Sequence, residues 1–158
     1  MYFLDANVFI RAQLDYYPPE RIPEFWKWLA YQAESGFVKV PRPVWDEIKP
    51  HDENLTEWMK EHQENLILDP DDSDILVSDV LDLYSTDLKP EDLEKIGADP
   101  FLIAAARFYG ATVVSKEGSK PSKKGANRKI PDICRDFGVQ CITDHKLIVD
   151  LNFRTQDW

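Results

Sequence analysis

Residues 99–117, DPFLIAAARFYGATVVSKE, decide the fold. Positions 99–109 are apolar nearly all round, which suits a helix buried against a sheet better than a surface helix with one wet face. The run Ala104-Ala105-Ala106 would let that helix approach its sheet closely. The next stretch, ATVVS (111–115), is short, β-branched and follows a turn-forming glycine, as a buried strand does. A buried helix running straight into a buried strand is half of a crossover unit.

The rest of the chain repeats that alternation. YFLD (2–5), FVKV (37–40), LILD (66–69) and VQCI (139–142) read as further strands. Helical spacing marks residues 20–35, where Ile22, Phe25, Trp26, Leu29 and Ala33 share a face. It marks 43–50 and 53–64, interrupted at Pro50, and 72–86, with Ile75, Leu76, Val80, Leu83 and Tyr84 as a stripe. Residues 131–137 and 144–151 complete the set, the first opened by Pro131 in a favoured first-turn position. Strands alternating with helices predict an α/β fold, a parallel sheet of about five strands covered on both faces. Ligands in such sheets bind beyond the carboxyl ends of the strands. Asp5 and the triplet Ser115-Lys116-Glu117 both fall at strand ends.

Bulk properties narrow the function classes. A chain of 158 residues with 43% hydrophobic and 30% charged content is that of one ordinary globular domain, 1–158. No apolar run approaches the ~20 residues of a membrane span. No basic segment precedes an apolar one at the start, so a cytoplasmic location is expected. Cys134 and Cys141 have neither CxxC spacing nor nearby histidines and read as reduced structural thiols, which argues against zinc. His51, His62 and His145 have no triad partners, and GSKPSKKGAN lacks the order of a P-loop. Trp45, Trp58 and Trp158 are candidate exposed aromatics for a protein partner.

The net charge of −10 would repel a polyanion, but it is unevenly spread. Residues 116–129 hold Lys116, Lys120, Lys123, Lys124, Arg128 and Lys129 against the single acid Glu117, a net +5 that leaves −15 on the rest. Alone, such a run is an ordinary solvated loop. It adjoins a set of carboxylates, however: Asp5 ending the first strand, Glu47 after the second, Asp99 opening the apolar helix and Glu117 after the fourth strand. Each has a plain structural reading. Asp5 and Asn7 are good helix caps, and Asp99 before Pro100 is a better one. Together at the strand tips they would repel one another unless a cation neutralised them. Oxygen-only ligands suit Mg²⁺ or Mn²⁺, ions that orient and activate water at a phosphodiester. The basic loop would then draw the polyanion in.

These pieces resemble a PIN domain nuclease over nearly the whole chain. The resemblance is carried by YFLDANVFI, by Glu47, by GADPFLIAAARFYGATVVSKE and by KIPDICRDFGVQCI, and it looks like a little-characterised subgroup rather than the familiar bacterial toxins. It implies a three-layer α/β/α sandwich and a metal-dependent ribonuclease. Many such proteins are toxins held by a cognate antitoxin, and homodimers are common among them. Carried over by position, Asp5, Glu47, Asp99 and Glu117 are the metal-binding, catalytic carboxylates, with Asn7 and Ser115 as supporting polar residues. A metal-activated water would attack phosphorus without a covalent enzyme intermediate. The family's fourth acid is usually Asp, so Asp132 competes with Glu117, and Asp46 and Glu53 lie close to Glu47.

Two other readings share the same features. A phosphotransferase of the haloacid dehalogenase type also begins on a strand ending in Asp, but it needs a second Asp two residues on. Asn7 stands there and cannot shuttle a proton. A catalytically silent PIN-fold module that binds RNA or protein is the alternative, and metal titration separates it from an enzyme.

Overall fold

The computed structural model describes residues 1–49 and 53–155. Pro50, His51 and Trp158, singled out above, lie outside the described residues. Five strands form one parallel sheet: β1 (Tyr2–Leu4), β2 (Val38–Pro41), β3 (Ile67–Leu68), β4 (Thr112–Val114) and β5 (Cys141–Ile142). Their order is β3-β2-β1-β4-β5, all pairs parallel. Helices cover both faces, giving the three-layer α/β/α sandwich expected from the alternation.

The order explains where a ligand can sit. From β1 the chain winds outward through β2 to β3, then crosses back to lay β4 on the other side of β1. Successive crossovers therefore diverge at the β1/β4 seam, where the register pairs Leu4 with Val114. In sheets of this kind the crevice at the carboxyl end of that seam is the binding position. Asp5 is the next residue after β1, and its N–H donates to the Val114 carbonyl at 3.0 Å, extending the seam by one bond.

Helix α8 (Asp99–Tyr109) is the buried helix that its composition required. Leu102, Ile103, Ala104, Ala105 and Ala106 are all buried, and the helix packs on β1, β2 and β4. The alanines remove the side-chain bulk that would hold the helix off the sheet, while Leu102 and Ile103 each bury a side chain worth about 1.5–3 kcal/mol. Gly110, at φ +63, ends it in the left-handed conformation that other residues avoid. Elsewhere an aromatic group consolidates α2 (Pro23–Glu34): Tyr17 stacks on Phe25 at 4.2 Å between centroids, and Phe153 meets Phe25 edge-on at 5.7 Å.

Several elements differ from the sequence reading. Helix α2 begins at Pro23, so Ile22 lies before it, and Trp28 joins its buried face. Residues 72–86 split into a 3-10 turn (Asp72–Leu76) and α6 (Val77–Tyr84). The tighter turn rotates Ile75 out of the expected stripe, leaving it 78% exposed. Trp45 is buried on α3 (Arg42–Ile48), and Trp58, on α4 (Glu53–Glu61), packs against Trp26 with centroids 5.0 Å apart. Trp45 therefore serves the core, whereas Trp58 is half-buried at its edge. A short α5 (Gln63–Leu66) follows α4. Helix α1 (Ala6–Arg11) starts immediately after Asp5 and continues into a π-helical turn, Ala12–Tyr16.

The largest addition is α7 (Pro90–Ile96). Its sequence, PEDLEKI, has only two large apolar residues in seven, too few to show a period. Pro90 at its first position and Asp92, whose Oδ2 accepts from the Lys89 N–H at 3.0 Å, start it instead. The chain closes with a 3-10 turn at Gly125–Asn127, α9 (Ile130–Phe137) and α10 (Asp144–Asp150).

Candidate metal and phosphodiester site

At the carboxyl end of the β1/β4 seam the protein has a cavity of about 420 Å³. Asp5, Asn7, Glu47, Asp99 and Glu117 line it, together with Lys95 of α7. All four carboxylates singled out from sequence thus line one cleft, although they come from the end of β1, from α3, from α8 and from the segment after β4. Ile10, Ile96 and Ile130 complete the walls.

Each acid is fixed by a different local device. Asp5 is 4% exposed, and its Oδ2 accepts a hydrogen bond from the Ser115 hydroxyl at 3.2 Å. The same Ser115 oxygen accepts from the Glu117 N–H at 3.1 Å, so one buried serine links the ends of β1 and β4. Asp5 stands in the N-cap position of α1, yet its side chain makes no capping hydrogen bond. The capping explanation therefore does not account for this carboxylate. Asn7 lines the cleft with an exposed side chain. Among the described residues the side-chain hydrogen bond to Asp5 comes from Ser115, not from Asn7.

Asp99 is the first residue of α8, with Ala98 as the N-cap and Pro100 second, one step later than expected. It too makes no cap. The residues before it hold Glu47. The Ala98 N–H donates to Glu47 Oε1 at 2.6 Å, and Gly97 adopts φ +60 beneath it. A Cβ on residue 97 would lie 2.2 Å from Glu47 Oε1, so only glycine permits this approach. Gly97-Ala98-Asp99 is thus a single device that seats one carboxylate and presents another.

Glu117 lies across the cleft. Its Oε2 accepts from the Ile130 N–H at 2.9 Å at the start of α9, and Lys129 Nζ is 3.5 Å from Oε1. Asp132, the competing fourth acid, is buried elsewhere: Ser119 Oγ donates to it at 2.5 Å and the Lys120 N–H at 2.8 Å. The Ser119 bond outweighs burial and, with Lys120 and Arg135, holds its carboxyl below the usual range. Asp132 fastens the basic loop to α9, and Glu117 is the acid of the cleft.

Negative charge outweighs positive in the cleft: four carboxylates stand against Lys95 and the Lys129 that pairs with Glu117. Burial, followed by the charge of Glu117, pushes Asp5 up to about 7, against the relief that Ser115 gives. Burial also raises Asp99 well above its ordinary value, reinforced by Asp5, Glu117 and Glu47 and only partly offset by Lys129. Tyr84 of α6, beside these acids, is buried, its hydroxyl has no hydrogen-bond partner among the described residues, and burial and Asp99 raise it as well. A cation in the cleft would reverse the penalty on both aspartates.

The donor set is all oxygen, which fits Mg²⁺ or Mn²⁺ and not a thiolate-seeking metal. Glu47 and Glu117 are occupied by backbone N–H groups. Among the described residues no three Asp, Glu, His or Cys side chains already stand around a common point as ligands. The residues thus fit such an ion in chemistry and charge, with Asp5 and Asp99 as its centre.

The basic loop divides in two. Lys116 is turned away, pairing with Asp144 at 2.9 Å and lying 4.6 Å over the Tyr16 ring. Arg128 is held by the Leu83 carbonyl at 2.8 Å and by Asp136, and Lys129 by Glu117. Lys120, Lys123 and Lys124 are exposed. Lys95 escaped the sequence reading because α7 did; its only signal was a lysine two residues before GAD. Cys134 and Cys141 are both free, as expected, and His145 is exposed on α10. Among the described residues no helix is long and apolar enough to cross a membrane.

No curated protein matches the chain. A family model matches residues 2–155, all but the two ends. By that match the chain belongs to the family described as "Domain of unknown function (DUF4411)".

Proposed function

We propose that the protein is a Mg²⁺- or Mn²⁺-dependent endoribonuclease that hydrolyses RNA phosphodiester bonds, a PIN-type nuclease. One observation carries the reading: four carboxylates from four separate elements line one cleft at the sheet's switch point, and burial with mutual repulsion raises the two aspartates. A protein selected for stability alone would not gather them there.

In this mechanism Asp5 and Asp99 would hold the ion, with Glu47 and Glu117 on either side. The chemistry such an ion supplies is activation of a water and stabilisation of charge on the phosphate. The chain's own groups do the rest. Ser115 fixes one Asp5 oxygen, Oδ2. The Ala98 and Ile130 N–H groups restrain Glu47 and Glu117 so that neither must be ordered anew. Ile10, Ile96 and Ile130 supply the apolar part of a lining that is otherwise polar.

On the same resemblance the protein is a toxin restrained by a cognate antitoxin, working in the cytoplasm, with homodimer formation part of that proposal. The alternative, a catalytically silent module binding RNA or protein, is favoured by one fact: the four acids do not yet converge as ligands among the described residues. Calorimetric titration with Mn²⁺ separates the two. The nuclease binds the ion in wild type and loses it in Asp99→Asn, and it cleaves RNA only when the ion is present. A wild type that neither binds Mn²⁺ nor cleaves RNA would overturn the proposal.

A further inference from the structure

A second cavity, of about 280 Å³, opens beside the acidic cleft between α7, the start of α8 and the basic loop. Lys95, Ile96, Asp99 and Glu117 line both spaces, so the two adjoin across a shared wall. The charge of the lining reverses across that shared wall. The first space has four carboxylates against Lys95, whereas the second has Lys95, Lys123, Arg128 and Lys129 against Asp99 and Glu117.

These cations are held in place from several directions. Lys95 Nζ donates to Asn127 Oδ1, which ties α7 to the 3-10 turn of the loop. Arg128 is clamped by Leu83 and Asp136, and Lys129 sits against Glu117. Lys123 is exposed and, among the described residues, makes no ion pair. Lys120 and Lys124 belong to the same charge run but line neither cavity.

We propose that the second cavity is a phosphate subsite for single-stranded RNA, seating the backbone phosphate next to the one that lies over the carboxylates. The inference rests on the nuclease reading and adds to it. Lys95, at the boundary, is the positioning residue: it fixes which way the strand runs past the acids. An acidic cleft repels a polyanion, and a fixed cationic pocket on one side of it offsets the repulsion in one direction only. Lys95 and Lys123 then contribute as ordered phosphate contacts, unlike Lys124, which contributes only through the general field.

The test is binding of a fluorescein-labelled single-stranded RNA in EDTA, followed by anisotropy across a salt series. Each lost phosphate contact should reduce the slope of log K against log salt by about 0.7. Lys95→Gln and Lys123→Gln should each weaken binding several-fold and lower the slope by that step. Lys124→Gln should change it by less than half as much, and Lys95→Arg should restore it. Matched urea midpoints for these variants establish that folding is intact. Lys95→Gln should bind Mn²⁺ at least as tightly as wild type, since the carboxylates remain and a positive charge beside them is removed. If wild type binds RNA and Lys95→Gln keeps the wild-type slope, the subsite is wrong while the nuclease reading stands. If wild type binds no RNA in EDTA, the subsite is wrong; the nuclease reading falls with it only if Mn²⁺ binding and cleavage are absent as well.

Discussion

Asp5→Asn should make the metal-free protein more stable, even though it removes a residue of the proposed site. The carboxyl of Asp5 titrates at about 7 in the folded protein, against an ordinary value of 3.8. At about 1.36 kcal/mol per pH unit, holding it ionised costs about 4 kcal/mol of stability above pH 7. The sign follows from proton counting. The folded state keeps the Asp5 proton to higher pH than the unfolded chain does, so stability falls as pH rises from about 4 to about 7 and then levels. Asparagine retains an oxygen for Ser115 Oγ and loses the charge, but it buries an amide whose N–H groups need partners, a penalty of about 1–3 kcal/mol. The net gain is therefore about 1–3 kcal/mol at pH 8 in EDTA; it falls to zero between about pH 4.5 and 6 and reverses below that, where only the amide penalty remains. Urea denaturation of wild type and variant at pH 4.5, 6 and 8 measures it directly. If Asp5→Asn is no more stable than wild type at pH 8, or the difference does not shrink toward acid, the acids are not repelling one another as described.

Gly97→Ala should destabilise by about 1–3 kcal/mol, because alanine resists φ +60 and its Cβ meets Glu47 Oε1; Mn²⁺ affinity should fall as Glu47 is displaced. A variant with wild-type stability and wild-type affinity would show that Glu47 is not seated by this backbone. Asp132→Asn should leave Mn²⁺ binding intact while exposing residues 119–129 to faster proteolysis, since it weakens the bonds from Ser119 and Lys120. Because Asp132 titrates below the usual carboxylate range, its contribution is present above about pH 4 and lost in acid, so this variant should also lack part of the wild type's acid-side loss of stability. Loss of metal binding in Asp132→Asn, with retention in Glu117→Gln, would reverse the assignment of the fourth acid. Ser115→Ala should raise the Asp5 titration further, visible by NMR as a later carboxyl transition; an earlier one would mean that the serine does not stabilise the charged form.

What could be read from the chain alone was whatever announced itself by period or by type. The alternation of short β-branched runs with helices led to the parallel sheet, and the all-apolar 99–109 stretch to the central helix. The carboxylates were legible because each stands at a strand or helix end, where buried acids are unexpected. Signals failed where a three-dimensional partner decides the outcome. Lys95 could not be placed because α7 is short and polar, and is started by caps instead of an apolar stripe. Glu117 and Asp132 were indistinguishable in sequence, each a lone acid near lysines. Only the fold turns one toward the cleft and the other onto Ser119. Ile75 followed the period of a helix that begins one turn later than expected. Trp45 belonged to no stripe that was recognised, and the packing of α3 buries it.

The most direct test of the central claim is the cleavage of a defined single-stranded RNA and the chemistry of the ends it leaves. On the proposed mechanism a water activated at the carboxylate cleft would attack phosphorus from outside the RNA, and the products would carry linear phosphate ends with no 2′,3′-cyclic phosphate. Wild type should give such ends in Mg²⁺ or Mn²⁺, nothing in EDTA, and nothing as Asp99→Asn. Cyclic phosphate ends, or cleavage that survives both EDTA and Asp99→Asn, would contradict a metal-dependent site at these four acids.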